Sequence, residues 1–424
     1  MARRRTGRRD RGEGGLHFKH RPECPKPDDD GKRPKHKCAG LWVARVDLGI
    51  GGDGKRRSRE VSSRDYASAL TKLRELRTAK DAGTVAPKKT QRLEDWLNLW
   101  LRETVAVEKD PKTLAGYRSA CTTWLIPNLG RHRLDTLEAQ HVRDLYKQMR
   151  RAGRAESSVL KVHNVLAKAM KDARAEVKGL THNPLAAIQR PKARGRNEHL
   201  TTAEAKRLLA TVQTDPNGAR RAASLYLGIR QGEVLGMQWD RIDLEGGTLD
   251  LSWQLQRLGY RHGCGGVCGK SRAGSCPQRE LEVPPGFEHQ RLDGGLCLTR
   301  PKADQQVRLL PLPPPLLGWL LGRQAFQAGQ PNPHGLVFTR EDGRPIDPRP
   351  DLQEWHDALD AAGLPQVMLH AARHTTATLL REARVPVDVI QSVLGHSSAL
   401  TTQGYIHEDL TLARDALSRL LIED

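Results

Sequence analysis

The sequence has no apolar run approaching the ~18 residues that a membrane-spanning helix needs, so no span is expected. Its basic N-terminus is not followed by an apolar segment. It therefore does not read as a secretory signal, and a cytoplasmic protein is the expectation. Internal repeats are missing, which removes repeat architectures from consideration. Cysteine is sparse and odd in number, 7 in 424 residues, so a disulfide framework is not expected. Acidic residues are in deficit: 50 Asp and Glu face 70 Lys and Arg, for a formal charge of +20. A surplus of that size points to a polyanionic partner, most commonly nucleic acid, although a merely basic enzyme would also carry it. The length leaves room for two to four domains with buried cores.

What is present changes character along the chain. Residues 1–37 are dense in Arg, Lys, Gly and Pro and read as a basic arm, disordered at its start or organised by zinc. Residues 38–86 hold two strand-like runs, Leu41 to Leu48 and Arg57 to Ser62, joined by a glycine-rich turn. A helical pattern to about Ala82 follows, a ββα unit that suits a small DNA-binding module or a structural cap. From 87 to 190 the pattern is helical throughout. Leu93, Trp96, Leu97, Trp100 and Leu101 repeat along one helix face, which marks these tryptophans as core rather than a base-stacking platform. A second helix starts at Pro111, a third follows an Asp135–Glu138 capping pattern, and a fourth carries Val159, Val162, Leu166, Ala169, Met170, Ala173 and Val177 on one stripe. Residues 191–424 are mixed α+β, opened by a Thr201–Glu204 capping box and interrupted by a Cys-rich insert at about 256–295.

Chemistry-bearing residues collect in that last segment. Arg230 stands three residues before Glu233 at the start of an apolar helix, a spacing that fits a guanidinium buried against a carboxylate, or a surface ion pair. Lys302 falls in the turn between two strand-like runs, where a hairpin tip would reach into a groove; exposed turn lysines are also common. His370 and Arg373 share a helix face, His396 follows an apolar helix, and Tyr405 comes nine residues later. A lone tyrosine is far more often packing than catalysis. If all six converge, the cations would hold a phosphodiester, histidine would handle protons near neutral pH and tyrosine would be the nucleophile.

The series RQGE, PKADQQVRLLPLP, HAARH and LGHSSALTTQGY, with its order and spacing, resembles the tyrosine recombinase (phage integrase) family, in the style of actinobacterial phage or integrative-element integrases. The resemblance covers about 230 residues of the catalytic domain. It implies a helical core-binding domain before that, and more weakly an arm-binding domain near the N-terminus. It further implies a site-specific recombinase that integrates or excises a mobile element through a 3′-phosphotyrosine intermediate. Arg230 and Arg373 would grip the scissile phosphate, with Glu233 supporting. Lys302 would protonate the leaving 5′-oxygen, His370 would assist proton transfer at Tyr405, and His396 would hydrogen-bond the phosphate. Ala303 stands after Lys302 where the family more often has Thr or Gly. Implied partners are double-stranded DNA attachment sites, three further copies in a synaptic tetramer, and excision and DNA-bending proteins. No cofactor is required for the chemistry, and a nucleoid-associated bacterial location is implied. A type IB topoisomerase-like enzyme and a non-catalytic DNA-binding regulator are the competing readings. Relaxation of plasmids lacking any specific site would favour the first of these.

The cysteines suggest structural zinc. Cys264, Cys268, Cys276 and Cys297 form one candidate set, with His262 nearby; His20, Cys24, His36 and Cys38 form another. A reduced-thiol loop is the alternative in both places. Cys121 lies in a helical pattern and reads as packing. The C-terminal leucines from Leu410 to Leu421 read as a short amphipathic helix, expected to dock on a neighbouring copy or on its own domain.

Overall fold

The computed structural model describes residues 15–27, 31, 34, 36, 38–50, 56–81, 90–178, 180–193, 198–301, 309–394 and 406–418. Two units emerge, one from residues 1–105 and 116–194, the other from 106–115 and 195–424.

The first unit begins with an antiparallel sheet in the order β1-β2-β3, made of β1 (Gly15–Lys19), β2 (Leu41–Ile50) and β3 (Arg56–Ser63), followed by α1 (Tyr66–Asp81). The expected ββα unit is thus βββα. The added strand is five residues long and its identity depends on its partner: Phe18 lies opposite Trp42 in the register and packs edge-on against it at 5.2 Å. Trp42 in turn meets Tyr66 of α1 at 4.9 Å, and Ala44, Val46 and Leu73 close a small core between sheet and helix.

The helical part contains α2 (Leu93–Trp100), the second half of α3 (Pro111–Ala120), α4 (Ala139–Arg151) and α5 (Glu156–Glu176). Leu93, Trp96, Leu97 and Trp100 are buried, as their spacing requires. The Trp96 indole donates to the Ala169 carbonyl at 3.0 Å and that of Trp100 to the Asp172 carboxylate at 2.8 Å, so both rings are satisfied core residues. Burial pushes the Cys121 thiol up to about 12, consistent with a packing residue. The third helix starts differently from the expectation. Its cap is Glu138, whose backbone N–H donates to His141 Nδ1 at 3.1 Å, while the carboxylate of Asp135 accepts from the Thr90 hydroxyl.

The second unit packs eight helices of five residues or more, among the described residues, around two small sheets. The helices are α6 (Thr202–Thr211), α7 (Gly218–Leu227), α8 (Gln231–Leu235), α9 (Pro314–Gln327), α10 (Pro348–Ala361), α11 (His370–Glu382), α12 (Val387–Leu394) and α13 (Ile406–Ser418). The Thr201–Glu204 capping box forms in both directions and starts α6. One antiparallel sheet orders as β11-β5-β4, from β4 (Ile242–Asp243), β5 (Thr248–Asp250) and β11 (Leu309–Pro311). The other orders as β6-β10-β9, from β6 (Gln254–Arg257), β9 (His289–Asp293) and β10 (Leu296–Thr299). The Cys-rich insert holds a hairpin of β7 (Tyr260–His262) and β8 (Arg279–Leu281).

One expectation changes here, and one alternative gains support. The strands flanking Lys302, β10 and β11, lie in different sheets and do not pair as a hairpin among the described residues. The C-terminal helix α13 packs on its own unit: Ala413, Ala416 and Leu417 join the main core, and the Arg414 guanidinium donates to the Gly246 carbonyl at 2.8 Å. Ala413 and Leu417 of the leucine stripe are thus covered in cis, while Leu412 stays 55% exposed.

Candidate active site

The site grows from the junction of α7 and α8. Helix α7 ends at Gly228, whose φ of 57° is the left-handed region that a side chain resists. A Cβ there would come within 2.7 Å of Leu394 and 3.0 Å of Thr376, so the chain also needs the missing side chain for space. Two residues later Arg230 caps α8. The Glu233 carboxylate reaches back to accept the Arg230 backbone N–H at 2.7 Å and its guanidinium at 2.8 Å. Burial runs opposite to the sequence reading: the Glu233 side chain is 2% exposed and that of Arg230 is 46% exposed. The carboxylate is the buried anchor, and the guanidinium extends from it towards solvent. Helix α8 lies close on β6, because a Cβ at Gly236 would meet the Leu255 backbone at 2.7 Å and one at Gly232 would meet it at 2.8 Å.

Behind α8 is a buried ionic network that the sequence did not reveal. Asp351 of α10 accepts from Arg221 at 2.8 Å and from the Gln231 side chain at 2.7 Å, and its carboxylate lies 3.2 Å from Arg220. Gln231 also donates to the Pro348 carbonyl at 2.8 Å, so the first residue of α8 is tied twice to the start of α10. The sequence signal was present as adjacent arginines inside an apolar helix pattern, but the acidic partner is 130 residues away.

Helix α11 supplies the second arginine. Arg373 is buried and donates to the Gly228 carbonyl at 3.0 Å and to the Leu394 carbonyl at the end of α12. Thr376, one turn on, donates to the Leu225 carbonyl at 2.8 Å, which fastens α11 to α7. His370 is exposed one turn before Arg373 and meets His374 edge-on at 5.0 Å. Its imidazole is held below its ordinary pKa, first by partial burial and then by the neighbouring His374, Arg373 and Arg230. The structure thus brings Arg230, Glu233, His370 and Arg373 together. Lys302, His396 and Tyr405 lie outside the described residues. Arg300, two residues before Lys302, is already engaged: it pairs with both Glu288 oxygens at 3.0 Å and stacks over Trp253 at 4.0 Å.

Two arginines and an imidazole thus sit on adjoining elements, one guanidinium exposed and one buried, which are side chains of the kind that can hold a phosphate group. The sequence has relatives. An integrase of Saccharopolyspora erythraea is 30% identical over 410 residues, covering 90% of this chain and 94% of that protein. The chain belongs to the phage integrase family, the tyrosine site-specific recombinases. The model of that family matches residues 306–411, the stretch containing His370, Arg373, His396 and Tyr405. The fold is also that of the Tn1549 transposon integrase solved in complex with transposon right end DNA, with a TM-score of 0.56 and 16% identity over 76% of this chain and 94% of that one. A lambda integrase tetramer bound to a Holliday junction shares it too, with a TM-score of 0.50 and 17% identity over 89% of this chain and 95% of that one.

The metal candidates fall outside this integrase site in the sequence of elements. His20, Cys24, His36 and Cys38 come together, with one ligand atom from each within 4.8 Å of the others. Cys264, Cys268 and Cys276 also cluster, but their fourth member is His262 and not Cys297. Cys297 is in β10, opposite Gln256 of β6 and Arg291 of β9, and is wholly buried. A central strand fixes its side chain in the sheet interior, where burial raises the thiol's pKa. No helix among the described residues is long and apolar enough to cross a membrane.

Proposed function

We propose that this recombinase cuts and rejoins DNA at Tyr405, with the phosphate held between Arg230 and Arg373. Tyr405 Oη attacks the phosphorus, the bond to the 5′-oxygen breaks, and a 3′-phosphotyrosine forms. Lys302 gives the departing 5′-oxygen its proton. His370, whose imidazole is held below its ordinary pKa first by burial and then by the surrounding cations, receives the tyrosine proton. His396 hydrogen-bonds the phosphate. A 5′-hydroxyl from the partner duplex then reverses the step, so the phosphoester bond energy is conserved. The observation that carries this reading is the fork of Arg373, bonded to the carbonyl two residues before Arg230 and to that of Leu394, two residues before His396.

On this reading the βββα unit is the arm-binding domain and α2 to α5 form the core-binding domain. Both the helical and the catalytic domain contact the duplex, and most of those contacts are to phosphates. Four copies act on a junction, in keeping with the tetramer of the lambda integrase complex, and excision and DNA-bending proteins set the direction. Incubation with a nicked duplex carrying the attachment site is the test. The wild type is expected to accumulate a covalent protein–DNA adduct and Tyr405→Phe to form none. An unchanged adduct yield in that variant would overturn the assignment.

A further inference from the structure

We infer that the chain binds two structural zinc ions, one on His20, Cys24, His36 and Cys38, the other on His262, Cys264, Cys268 and Cys276. This does not depend on the recombination mechanism. Tetrahedral zinc with bonds of about 2.3 Å to sulfur and 2.0–2.1 Å to nitrogen places its ligand atoms roughly 3.3–3.8 Å apart. Measured separations fall around that range. Cys24 Sγ is 3.1 Å from Cys38 Sγ, and Cys276 Sγ is 3.5 Å from Cys264 Sγ. His262 Nδ1 is 3.4 Å from Cys268 Sγ and 3.9 Å from Cys264 Sγ. Within each set all four atoms lie within 4.8 Å of one another. Thiols are poor hydrogen-bond donors and acceptors, so a reduced loop gains little by gathering them.

The histidines of the first site add an independent sign. The Pro34 carbonyl lies 2.8 Å from His36 Nδ1. A carbonyl can only accept, so that nitrogen carries the proton and Nε2 is left with the lone pair. His36 Nε2 and His20 Nδ1 are both buried without a hydrogen-bond partner. A ring nitrogen fixed as a bare acceptor by a bond on its far side is how metal-binding histidines are held. Mixed imidazole and thiolate donors, four in number, select zinc over the hard cations.

Both sites lie where the chain passes between paired strands. His20 and Cys24 follow β1, and His36 and Cys38 precede β2, so a metal closes the long connection between paired strands. The second set joins the ends of β7 and β8, a hairpin of three residues per strand. Such a hairpin is not stable in water alone, and a metal staple supplies what its few side chains cannot. Its C-x3-C loop folds back tightly because Gly265, Gly266 and Gly269 take φ of 65°, 90° and 64°.

The test measures metal content of the full chain, purified under reductant. Two zinc ions per chain are expected, falling to one in Cys24→Ser/Cys38→Ser and to one in Cys268→Ser/Cys276→Ser, and remaining two in Cys297→Ser. Cobalt substitution of the wild type reads the sites without any variant. Its sulfur-to-metal charge-transfer intensity should divide two to three between the sites as they fill, matching two cysteines in one and three in the other. A soluble wild-type chain that binds neither metal would overturn the inference. So would loss of an ion from Cys297→Ser, or a Cys24–Cys38 disulfide in place of the first ion.

Discussion

Replacing Asp351 with asparagine tests whether the buried network behind the active site holds it in place. The carboxylate is 2% exposed and faces Arg220 and Arg221, whose side chains are 2% and 4% exposed. Burial has already driven the Arg221 guanidinium below its ordinary pKa, with the repulsion from Arg220 next in importance. In Asp351→Asn one oxygen becomes an amide donor that faces either Arg221 or the Gln231 side chain, both themselves donors. Two buried guanidiniums then share the half-exposed Glu354 as their remaining carboxylate in this network. Removing one partner of a buried ion pair costs about 3–5 kcal/mol. For a unit of this size each kcal/mol shifts the melting temperature by about 2–4 °C, so a drop of roughly 6–20 °C is expected. Calorimetry measures the drop, and hydrogen exchange in peptides from α7 and α10 shows whether it arises there. Glu354→Gln is the comparison, expected to cost less than about 1 kcal/mol because Glu354 is 49% exposed. A loss below about 1 kcal/mol in Asp351→Asn, or equal losses in both variants, would refute the claim that this carboxylate organises the unit.

Other predictions follow from the same geometry. Gly228→Ala should destabilise by about 2–4 kcal/mol in chemical unfolding, from the left-handed backbone and the contact with Leu394 together. Glu233→Gln keeps an acceptor for the Arg230 backbone but removes the negative charge that faces its guanidinium. Cleavage is expected to fall roughly tenfold to a hundredfold, matching the ~1.5–3 kcal/mol of a charged hydrogen bond, with little change in DNA affinity by titration. For His370, an NMR titration of the free protein should give a midpoint below 6.5, and His374→Gln should raise it. The sign for stability is set by the same shift: below 6.5 the unfolded chain takes up the proton before the folded one. His370 therefore lowers stability as pH falls from 6.5 to its folded value, and His370→Gln should flatten that slope.

Legibility in the sequence followed the range of the interactions. The tryptophan stripe of α2, the Thr201 capping box and the Arg230–Glu233 pair were readable because their partners are within a few residues. What the i, i+3 spacing did not say is which member of the last pair is buried, since that depends on the closeness of α8 to β6. Strand β1 and the role of Asp351 were hidden because their partners are distant in sequence. The zinc candidates were partly readable. The short spacings marked Cys264 and Cys268, but choosing His262 over Cys297 required knowing that β10 is the central strand of its sheet. The C-terminal helix was readable as amphipathic, but amphipathicity does not name the surface that covers it, its own domain or a neighbouring copy.

The way Arg373 is bound bears on how the site is assembled. Phosphate binding needs guanidinium donors, yet two of its nitrogens donate to backbone carbonyls, at Gly228 and Leu394. A buried guanidinium without such partners would be costly, so these bonds fix its plane before any substrate arrives. They also link three segments through one side chain: the end of α7, which sets Arg230; α11, which carries His370; and the end of α12, which leads in sequence to His396 and Tyr405. Arg373→Lys keeps the charge but has a single nitrogen and cannot span both carbonyls. It is therefore expected to lose more than phosphate affinity. Protection of α12 amides in hydrogen exchange should fall even without DNA, whereas Arg230→Lys should leave α12 unchanged. Equal protection of α12 in the two variants would mean that Arg373 serves only the phosphate and does not build the site.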